Sequence, residues 1–280
     1  MDTLRLLFEV DEVPPRGVAE LVPGWQMHSM PELHLVAVEG NPGVGALWGG
    51  GEVLGAGEDV RSLVDGTFGV RRDRGVARMD VTTSRRFVPA EGRAFMAGVA
   101  AMEFPRLEAT RRGTPVHSVW WTGLRSATIK HRAYCESFKV PGREPFERLR
   151  LEEQGRFPNG RRPPLEVAAD PAFQRERFRR RFEPMRKAVD GVTAASFPVI
   201  AQGLADEFRY GFRDLREFER LSGSLIALSA GARDGYARST FYKRRAELRE
   251  AGYVVVDDFM EPVEVDLADE LDRALEEFGA

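Results

Sequence analysis

Three neighbouring stretches decide the fold: TPVHSVWW at residues 114–121, ATIKHRAYCES at residues 127–137 and PFERLRLEEQ at residues 145–154. Each is short and mixes apolar, aromatic and charged residues in the way that predicts a strand. Gly123 and the Pro141-Gly142 pair lie between them at turn positions. Short connections of this kind join antiparallel strands, so we expect the three stretches to form the centre of a largely antiparallel sheet.

Further elements precede these strands. Residues 3–10, 33–38 and 76–82 predict strands, and residues 90–103 predict a helix that starts after Pro89. In that helix Phe95, Val99 and Met102 recur at spacings of four and three, which gives one apolar stripe. The Gly-rich residues 40–57 lack the Lys-Ser/Thr pair of a phosphate-binding loop and predict flexible turns. The order of strand, helix and several strands is typical of an α+β fold.

The second half of the chain predicts a helical domain. Residues 158–164, PNGRRPP, mark a boundary that divides the chain into residues 1–160 and 161–280. Helices are expected at residues 173–187, where Pro184 could end the helix early, and at residues 196–208 and 214–228. Ser239 and Thr240 are candidate N-caps of a last helix that ends at Gly252 and precedes a strand at residues 253–256. Several helices followed by a strand predict a winged-helix-like module.

Composition sets the broad class. Hydrophobic residues make up 42% and charged residues 30% of 280 residues, and Cys135 is the single cysteine. These values predict a globular protein of a reducing compartment, which we expect to be the cytoplasm, without a membrane span. Residues 257–280 hold ten acids and one base, so the other 256 residues carry about six net positive charges. We expect a mildly basic body with an exposed acidic helix at the end.

Polar residues of three predicted strands are candidates for one site. Arg78 and Asp80 alternate along one strand, Arg150 and Glu152 along another, and Tyr134 lies in a third. Side chains alternate between the two sides of a strand, so three adjacent strands would gather these groups on one face. A phenol that attacks a DNA phosphate must lose its proton, and cations must balance the charge of the transition state. Packing residues and exposed cross-strand ion pairs remain the alternative interpretation.

The motifs resemble those of a known family. Arg78-Met79-Asp80, residues 120–125, Arg132-Ala133-Tyr134 and Arg150-Leu151-Glu152 are similar to the core of plasmid replication initiation factors and of filamentous-phage gene II type replication proteins. The likeness covers residues 76–157. It implies a relaxase-like sheet that nicks one DNA strand through a tyrosine. Glu136 stands where that family usually has Lys, and residues 82–86 lack the second acid often found there.

The resemblance also implies roles for individual residues. Tyr134 would be the nucleophile, with Arg78 and Arg132 as further catalytic residues. Asp80 and Glu152 would hold a divalent metal, Mg or Mn. The expected partner is DNA, either single-stranded or as an origin duplex, with host replication proteins as a further class.

Basic residues extend the expected DNA contacts beyond that centre. Residues 71–86 carry six bases and two acids, and the last predicted helix carries a Tyr-Lys-Arg-Arg run. Such residues suit phosphate or groove contacts. The candidate DNA-binding residues are Arg85, Arg86, Arg125, Lys130, His131, Arg150, Ser239, Thr240, Tyr242, Lys243, Arg244 and Arg245.

Three functions stay open at this point. The first is a replication initiator that nicks and rejoins DNA at a plasmid or phage origin. The second is a sequence-specific DNA-binding regulator that keeps the fold without the chemistry. The third is a structural or partner-binding protein of a mobile element.

Overall fold

The computed structural model describes residues 3–22, 24–41, 53–102, 104, 107–113, 115–123, 126–136, 144–158, 160–229, 238–256 and 262–277. Within these ranges the chain is a mixed α+β protein with one large antiparallel sheet. This architecture confirms the predicted α+β class with a largely antiparallel sheet, while the relaxase-like form of the sheet stays a prediction.

Nine strands form the large sheet. They are β1 (Thr3–Val10), β2 (Gly17–Val22), β3 (Trp25–Met30), β4 (Leu35–Gly40), β5 (Val70–Arg86), β6 (Leu107–Arg112), β7 (Ser118–Gly123), β8 (Ser126–Cys135) and β9 (Arg148–Arg156). Their spatial order is β2-β3-β4-β1-β5-β9-β8-β7-β6, and each neighbouring pair is antiparallel. The long strand β5 joins an N-terminal meander to the strands that the sequence analysis placed at the centre.

Eight α-helices and a second sheet complete the described fold. The helices are α1 (Val53–Phe68), α2 (Pro89–Ala101), α3 (Leu165–Ala169), α4 (Pro171–Ala188), α5 (Phe197–Arg209), α6 (Leu215–Ser229), α7 (Arg238–Glu250) and α8 (Leu267–Glu277). The second sheet consists of β10 (Thr193–Ala195), β11 (Tyr253–Val255) and β12 (Glu264–Asp266). Helix α4 continues through Pro184, so the early end expected there is not found. No helix of the described ranges is long and apolar enough to cross a bilayer.

One face of the large sheet is apolar and carries the main core. Leu6, Met79, Leu151 and Trp121 are buried on it. They form one hydrophobic cluster with residues of α1, α2, α3, α4 and α8. We call this side the helix-covered face. It forms because alternate residues of β1, β5, β7, β8 and β9 are apolar, and a sheet buries such a surface under helices.

A smaller hydrophobic cluster holds α5, α6 and α7 together. It contains Ile200, Leu204, Leu221, Leu225 and Leu248. The order of three helices followed by β11 is the one predicted from the sequence. Strand β10 lies between β11 and β12, so these two strands do not pair with each other. In a wing, the two strands would pair directly as a hairpin. The winged-helix assignment therefore stays a prediction.

The Gly-rich segment predicted as turns, residues 40–57, ends in a helix: residues 53–57 form the first part of α1. Residues 42–52 lie outside the described ranges, whereas α1 begins at Val53. A Cβ at Gly57 would come within 2.6 Å of the Leu165 side chain. This glycine therefore lets α1 approach α3 closely, which is a packing role that its sequence context did not reveal.

The acidic C-terminal segment docks on the body of the protein, which corrects the expected exposed helix. Leu267, Leu271 and Ala274 of α8 are buried. Glu270 lies 2.7 Å from Arg85 of β5, and Asp272 forms an ion pair with Arg186 of α4. The apolar stripe and these ion pairs together hold the helix against the sheet and α4.

Candidate functional site on the polar face of the sheet

The side of the sheet opposite the helix-covered face is polar along its central strands. In three adjacent strands the cross-strand rows are Ser84–Arg150–Tyr134, Thr82–Glu152–Arg132 and Asp80–Gln154–Lys130. Residues in one row point to the same side of a sheet. We call this side the polar face. The expectation that a tyrosine, two acids and several cations share one face is confirmed.

Tyr134 is the most constrained member of this face. Its side chain is only 4% exposed, although it is surrounded by charged groups. The guanidinium of Arg132 lies 3.9 Å from the centre of the ring. Burial raises the pKa of Tyr134, while hydrogen bonds from Arg150 and Arg132 act in the opposite direction. A phenol held between two guanidiniums is placed where a phosphate would also find its counter-charges.

Glu152 lies between Tyr134 and Asp80. It is buried, its carboxylate accepts a hydrogen bond from Arg132 at 2.9 Å, and Gln154 also donates to it. The negative charge of Glu152 raises the pKa of both Tyr134 and Asp80. This carboxylate is therefore close enough to influence the proton of the phenol.

Asp80 is held by Arg78. The guanidinium Nε of Arg78 donates to the Asp80 carboxylate at 3.0 Å, and its Nη1 donates to Glu39 at 2.9 Å. Burial is the largest influence on Asp80 and raises its pKa to about 6, in spite of the ion pair with Arg78. Asp80 therefore gains a proton under mildly acidic conditions, unlike an exposed aspartate.

The register shows that the two acids are not equally close to Tyr134. Asp80 and Tyr134 are two strands apart and offset by four residues along β9. With ~3.3 Å per residue and ~4.8 Å between strands, their Cα atoms lie about 16 Å apart. Glu152 is a diagonal neighbour at about 8 Å from each. The polar groups thus form a diagonal line, with Glu152 as the acid nearest to the phenol.

The expected divalent metal does not fit the described donors well. Asp80 and Glu152 are each engaged by an arginine. Among the described residues no three His, Cys, Asp or Glu side chains converge as a metal site. A metal between the two acids would have to displace at least one guanidinium, and hard cations such as Mg²⁺ prefer several oxygen ligands.

Two residues expected to contact DNA lie on the other side of the sheet. His131 is 5% exposed and packs edge-on against Phe182 of α4. Burial, together with Arg181 and Arg177, lowers its pKa to about 4. Arg85 also points to the helix-covered face, where Glu270 binds it. The alternation of side chains places both away from any strand bound on the polar face, so we correct these two assignments.

The other expected DNA-binding residues are distributed over two surfaces. Lys130, Arg150 and the exposed Arg86 lie on the polar face, while Arg125 is outside the described residues. Helix α7 carries a separate group. It begins at Arg238, so Ser239 and Thr240 lie within its first turn and not at an N-cap. Gly252 adopts a left-handed φ of 91° after the helix, as expected of a C-terminal cap.

On α7, Tyr242 and Lys243 are exposed, and Arg244 and Arg245 are half-buried. Arg244 contacts Glu247 at 3.1 Å and the hydroxyl of Ser224 at the same distance. The guanidinium of Arg245 lies over the ring of Phe241. Of this run, Tyr242 and Lys243 are thus the side chains best placed to meet a partner.

Three charged residues of the polar face were not predicted as part of the site. Glu136 lies 3.1 Å from Arg148 and 3.2 Å from Arg150, so it ties two arginines beside Tyr134. Arg5 and Glu39 come from β1 and β4 and extend the polar face beyond Arg78. Their alternation with apolar neighbours was visible in the sequence, but their position beside β5 depends on strand order.

Comparison of the chain with protein-family models, with curated proteins and with solved structures finds no match. Function is therefore inferred from the polar face and from the motif resemblance.

Proposed function

We propose that this chain is a cytoplasmic DNA replication initiator that nicks and rejoins one DNA strand at a plasmid or phage origin, through a covalent link to Tyr134. The single observation that carries the proposal is the contact of Tyr134 with both Arg132 and Arg150 on the polar face. The resemblance of the Arg-x-Asp, Arg-x-Tyr and Arg-x-Glu motifs to replication initiation factors supports the same chemistry.

In the proposed reaction the phenol oxygen of Tyr134 attacks a phosphorus atom of the DNA backbone. An O–P bond to tyrosine forms while the bond from phosphorus to one deoxyribose oxygen breaks, and that oxygen leaves with a proton. Glu152, the carboxylate whose charge acts on Tyr134, would accept the phenol proton and then return a proton to the leaving deoxyribose oxygen. Because a phosphodiester replaces a phosphodiester, the reverse attack by the sugar hydroxyl rejoins the strand.

Arginines supply the charge balance in this scheme. Arg132 and Arg150 already contact the phenol, so a phosphate beside it would meet planar N–H donors that suit its oxygens. Arg78 would act further along the same face through its pairing with Asp80. No step of the scheme requires a divalent metal, although Mg or Mn held by Asp80 and Glu152 is the family expectation.

Helix α7 would provide a second contact with DNA. Its exposed Tyr242 and Lys243 lie on a helix that packs with α5 and α6, apart from the large sheet. Origin DNA bound there would bring one strand to the polar face. A non-catalytic regulator would use the same helix, and it is the second candidate function because Glu136 ties the arginines beside Tyr134 into internal ion pairs.

The test is a covalent-adduct assay. A pool of randomised single-stranded oligonucleotides labelled at internal positions is incubated with the protein in Mg²⁺, in Mn²⁺ or in EDTA, and denaturing gels separate protein-linked label. We expect an adduct in the wild type that is lost in Tyr134→Phe, with the DNA mapped to Tyr134 by peptide mass spectrometry. Tyr210→Phe is the matched control, since Tyr210 is 69% exposed in the turn after α5.

The possible outcomes separate the two candidate functions. An adduct in the wild type and in Tyr210→Phe, but not in Tyr134→Phe, supports the nicking enzyme. DNA binding without any adduct supports the regulator. An adduct that persists in Tyr134→Phe removes Tyr134 from the reaction. The EDTA arm tests separately whether a metal takes part.

A further inference from the structure

A groove extends the polar face away from Tyr134 and across the N-terminal meander. It has a volume of about 560 Å³, within the range of ligand sites. Its lining includes Arg5, Gln26, His28, Glu39, Arg78 and Arg156. These residues come from β1, β3, β4, β5 and β9, and the scheme proposed for Tyr134 uses only Arg78 among them.

Arg78 makes the groove continuous with the candidate catalytic site, because it lines the groove and also binds Asp80. Arg78 and Tyr134 are two strands apart and offset by six residues along β9. This corresponds to about 22 Å, or roughly six nucleotides at the ~3.4 Å rise of a stacked strand. A single DNA strand that leaves Tyr134 along the polar face would therefore pass over the groove within a few nucleotides.

The central feature of the groove is a carboxylate that fixes two guanidiniums. Glu39 lies 2.8 Å from Nε of Arg5 and 2.9 Å from Nη1 of Arg78. The three side chains are about one quarter to one third exposed. An arginine has five N–H donors in a rigid fork. Glu39 therefore pairs with both guanidiniums. Nε and Nη2 of Arg78 also bind Asp80, so Arg5 contributes most of the N–H groups that a ligand in the groove can contact.

This donor set fits a nucleobase better than a phosphate. Two carboxylates, Glu20 and Glu39, line the groove beside three arginines, so it offers hydrogen-bond acceptors as well as donors; a base edge can use both, whereas a phosphate diester only accepts. Guanine offers two acceptors, O6 and N7, to an arginine fork, the commonest base-specific contact of arginine. The other edge of guanine carries N–H groups that can donate hydrogen bonds to a carboxylate. Adenine, cytosine and thymine do not combine two adjacent acceptors on one edge with N–H donors on a second edge.

We propose that this groove binds a guanine base of single-stranded DNA, a few nucleotides from the phosphate that Tyr134 attacks. The proposal rests on the proposed function, since it assumes that a DNA strand lies on the polar face. It adds a sequence-reading subsite that consists of Arg5, Gln26, Glu39 and Arg78.

The experiment measures binding without cleavage. Fluorescence anisotropy is recorded with Tyr134→Phe protein and labelled oligothymidylates of about twelve nucleotides that carry one central guanine, adenine, cytosine or no substitution. The guanine oligonucleotide is expected to bind about fivefold tighter or more than the other three, in line with one good base contact. Adding Arg5→Ala should remove this preference.

Two further variants complete the design. Gln26→Ala changes an exposed residue of the groove, so it should keep its fold and weaken the preference. Arg273→Ala is the matched control, because Arg273 lies on α8, which packs on the opposite face of the sheet, and it should retain the preference. Thermal melting checks that each variant is folded.

Equal binding of the four oligonucleotides, or a guanine preference retained by both Arg5→Ala and Gln26→Ala, overturns the groove proposal alone. The proposed function is untouched by either result, since binding still occurs. Failure to bind any of the oligonucleotides overturns both proposals.

Discussion

Asp80 is a buried carboxyl whose pKa is raised to about 6 from an ordinary value of 3.8, chiefly by burial. Between these two pH values the unfolded chain loses a proton that the folded protein retains. Stability therefore falls as the pH rises through this window and is constant above it. The Asp80→Asn variant should not show this loss. Between pH 3.8 and 6, the free energy of unfolding of the wild type should therefore fall by about 3 kcal/mol relative to the variant.

Urea unfolding of the wild type and of Asp80→Asn at pH 4, 5, 6 and 7 measures the effect. Asparagine keeps the size of the side chain but loses the charge that Arg78 pairs with, so an offset between the two curves is expected at every pH. The prediction concerns their difference in slope. Parallel curves between pH 4 and 6 would contradict the raised pKa.

His131 has the opposite pH dependence. Its pKa is lowered to about 4, because burial and the charges of Arg181 and Arg177 disfavour its cation. Glu153, which is opposite His131 in the sheet, is not among these causes. As the pH falls from 6.5 to 4 the unfolded chain gains a proton that the folded protein does not, so stability is lost. Substitution His131→Phe should remove a loss of about 3 kcal/mol.

This second prediction is checked by thermal or urea unfolding of His131→Phe and the wild type at pH 7, 6, 5 and 4. Phenylalanine is apolar and similar in shape, and the site already contacts the ring of Phe182. Below pH 6.5, the stability of the variant relative to the wild type should increase progressively as the pH falls. If the wild type and the variant lose stability in parallel, His131 is not a buried neutral residue.

At the level of single residues, local alternation was enough to predict the polar face. Residues two apart in a strand lie on the same side of the sheet. This spacing holds for three pairs: Arg78 and Asp80, Arg132 and Tyr134, and Arg150 and Glu152. Which pairs lie opposite each other depends on register, and register placed Glu152 next to the phenol and Asp80 farther away. His131 and Arg85 alternate with the polar-face residues of their strands, so they lie on the opposite face. Their basic character alone therefore gave the wrong prediction of DNA contact.

Helix α8 illustrates the same limit at the level of elements. Its acidic composition predicted an exposed helix, yet Leu267, Leu271 and Ala274 follow the i, i+4, i+7 spacing of a buried stripe. That spacing was the available signal. The partners of its acids, Arg85 and Arg186, come from distant parts of the chain and could not be identified without the fold.

The docking of α8 gives a prediction for mutagenesis. Leu271→Ala should lower the free energy of unfolding by about 2–5 kcal/mol, the usual cost of removing a buried leucine side chain. Asp269→Ala on the exposed side of the same helix should change it by less than about 0.5 kcal/mol. Chemical denaturation of both variants distinguishes a docked helix from a solubilising tail, for which the two substitutions would have similarly small effects.

Strands β2, β3 and β6 escaped prediction for a different reason. They are short segments of six residues near the two edges of the sheet. The edge strands β2 and β6 bury fewer side chains, so their sequences alternate less clearly than those of β5, β8 and β9, although the burial of side chains in β3 does alternate. The groove of Arg5 and Glu39 consequently could not be anticipated, because β3 and β4 provide half of it.

For the whole molecule, the packing does not divide at residue 160. Leu165 of α3, Phe178 and Phe182 of α4 and Leu271 of α8 all belong to the same hydrophobic cluster as the large sheet. Glu153 of β9, which is fully buried, accepts two hydrogen bonds of 2.7 Å from Arg177 of α4. A cut at the boundary predicted from the sequence would separate the sheet from these helices.

A fragment of residues 1–160 is therefore expected not to fold by itself. It would expose the apolar side of β5, β8 and β9 to water and leave the Glu153 carboxylate without its Arg177 partner, so it would lose the apolar burial that stabilises this face of the sheet. Such a fragment should bind a hydrophobic dye and show no cooperative thermal transition. Co-expression with residues 161–280 should restore a cooperative transition, because α3, α4 and α8 then return to the sheet. Cooperative unfolding of the isolated fragment would mean that the sheet is stable without its helices, and the division at residue 160 would stand.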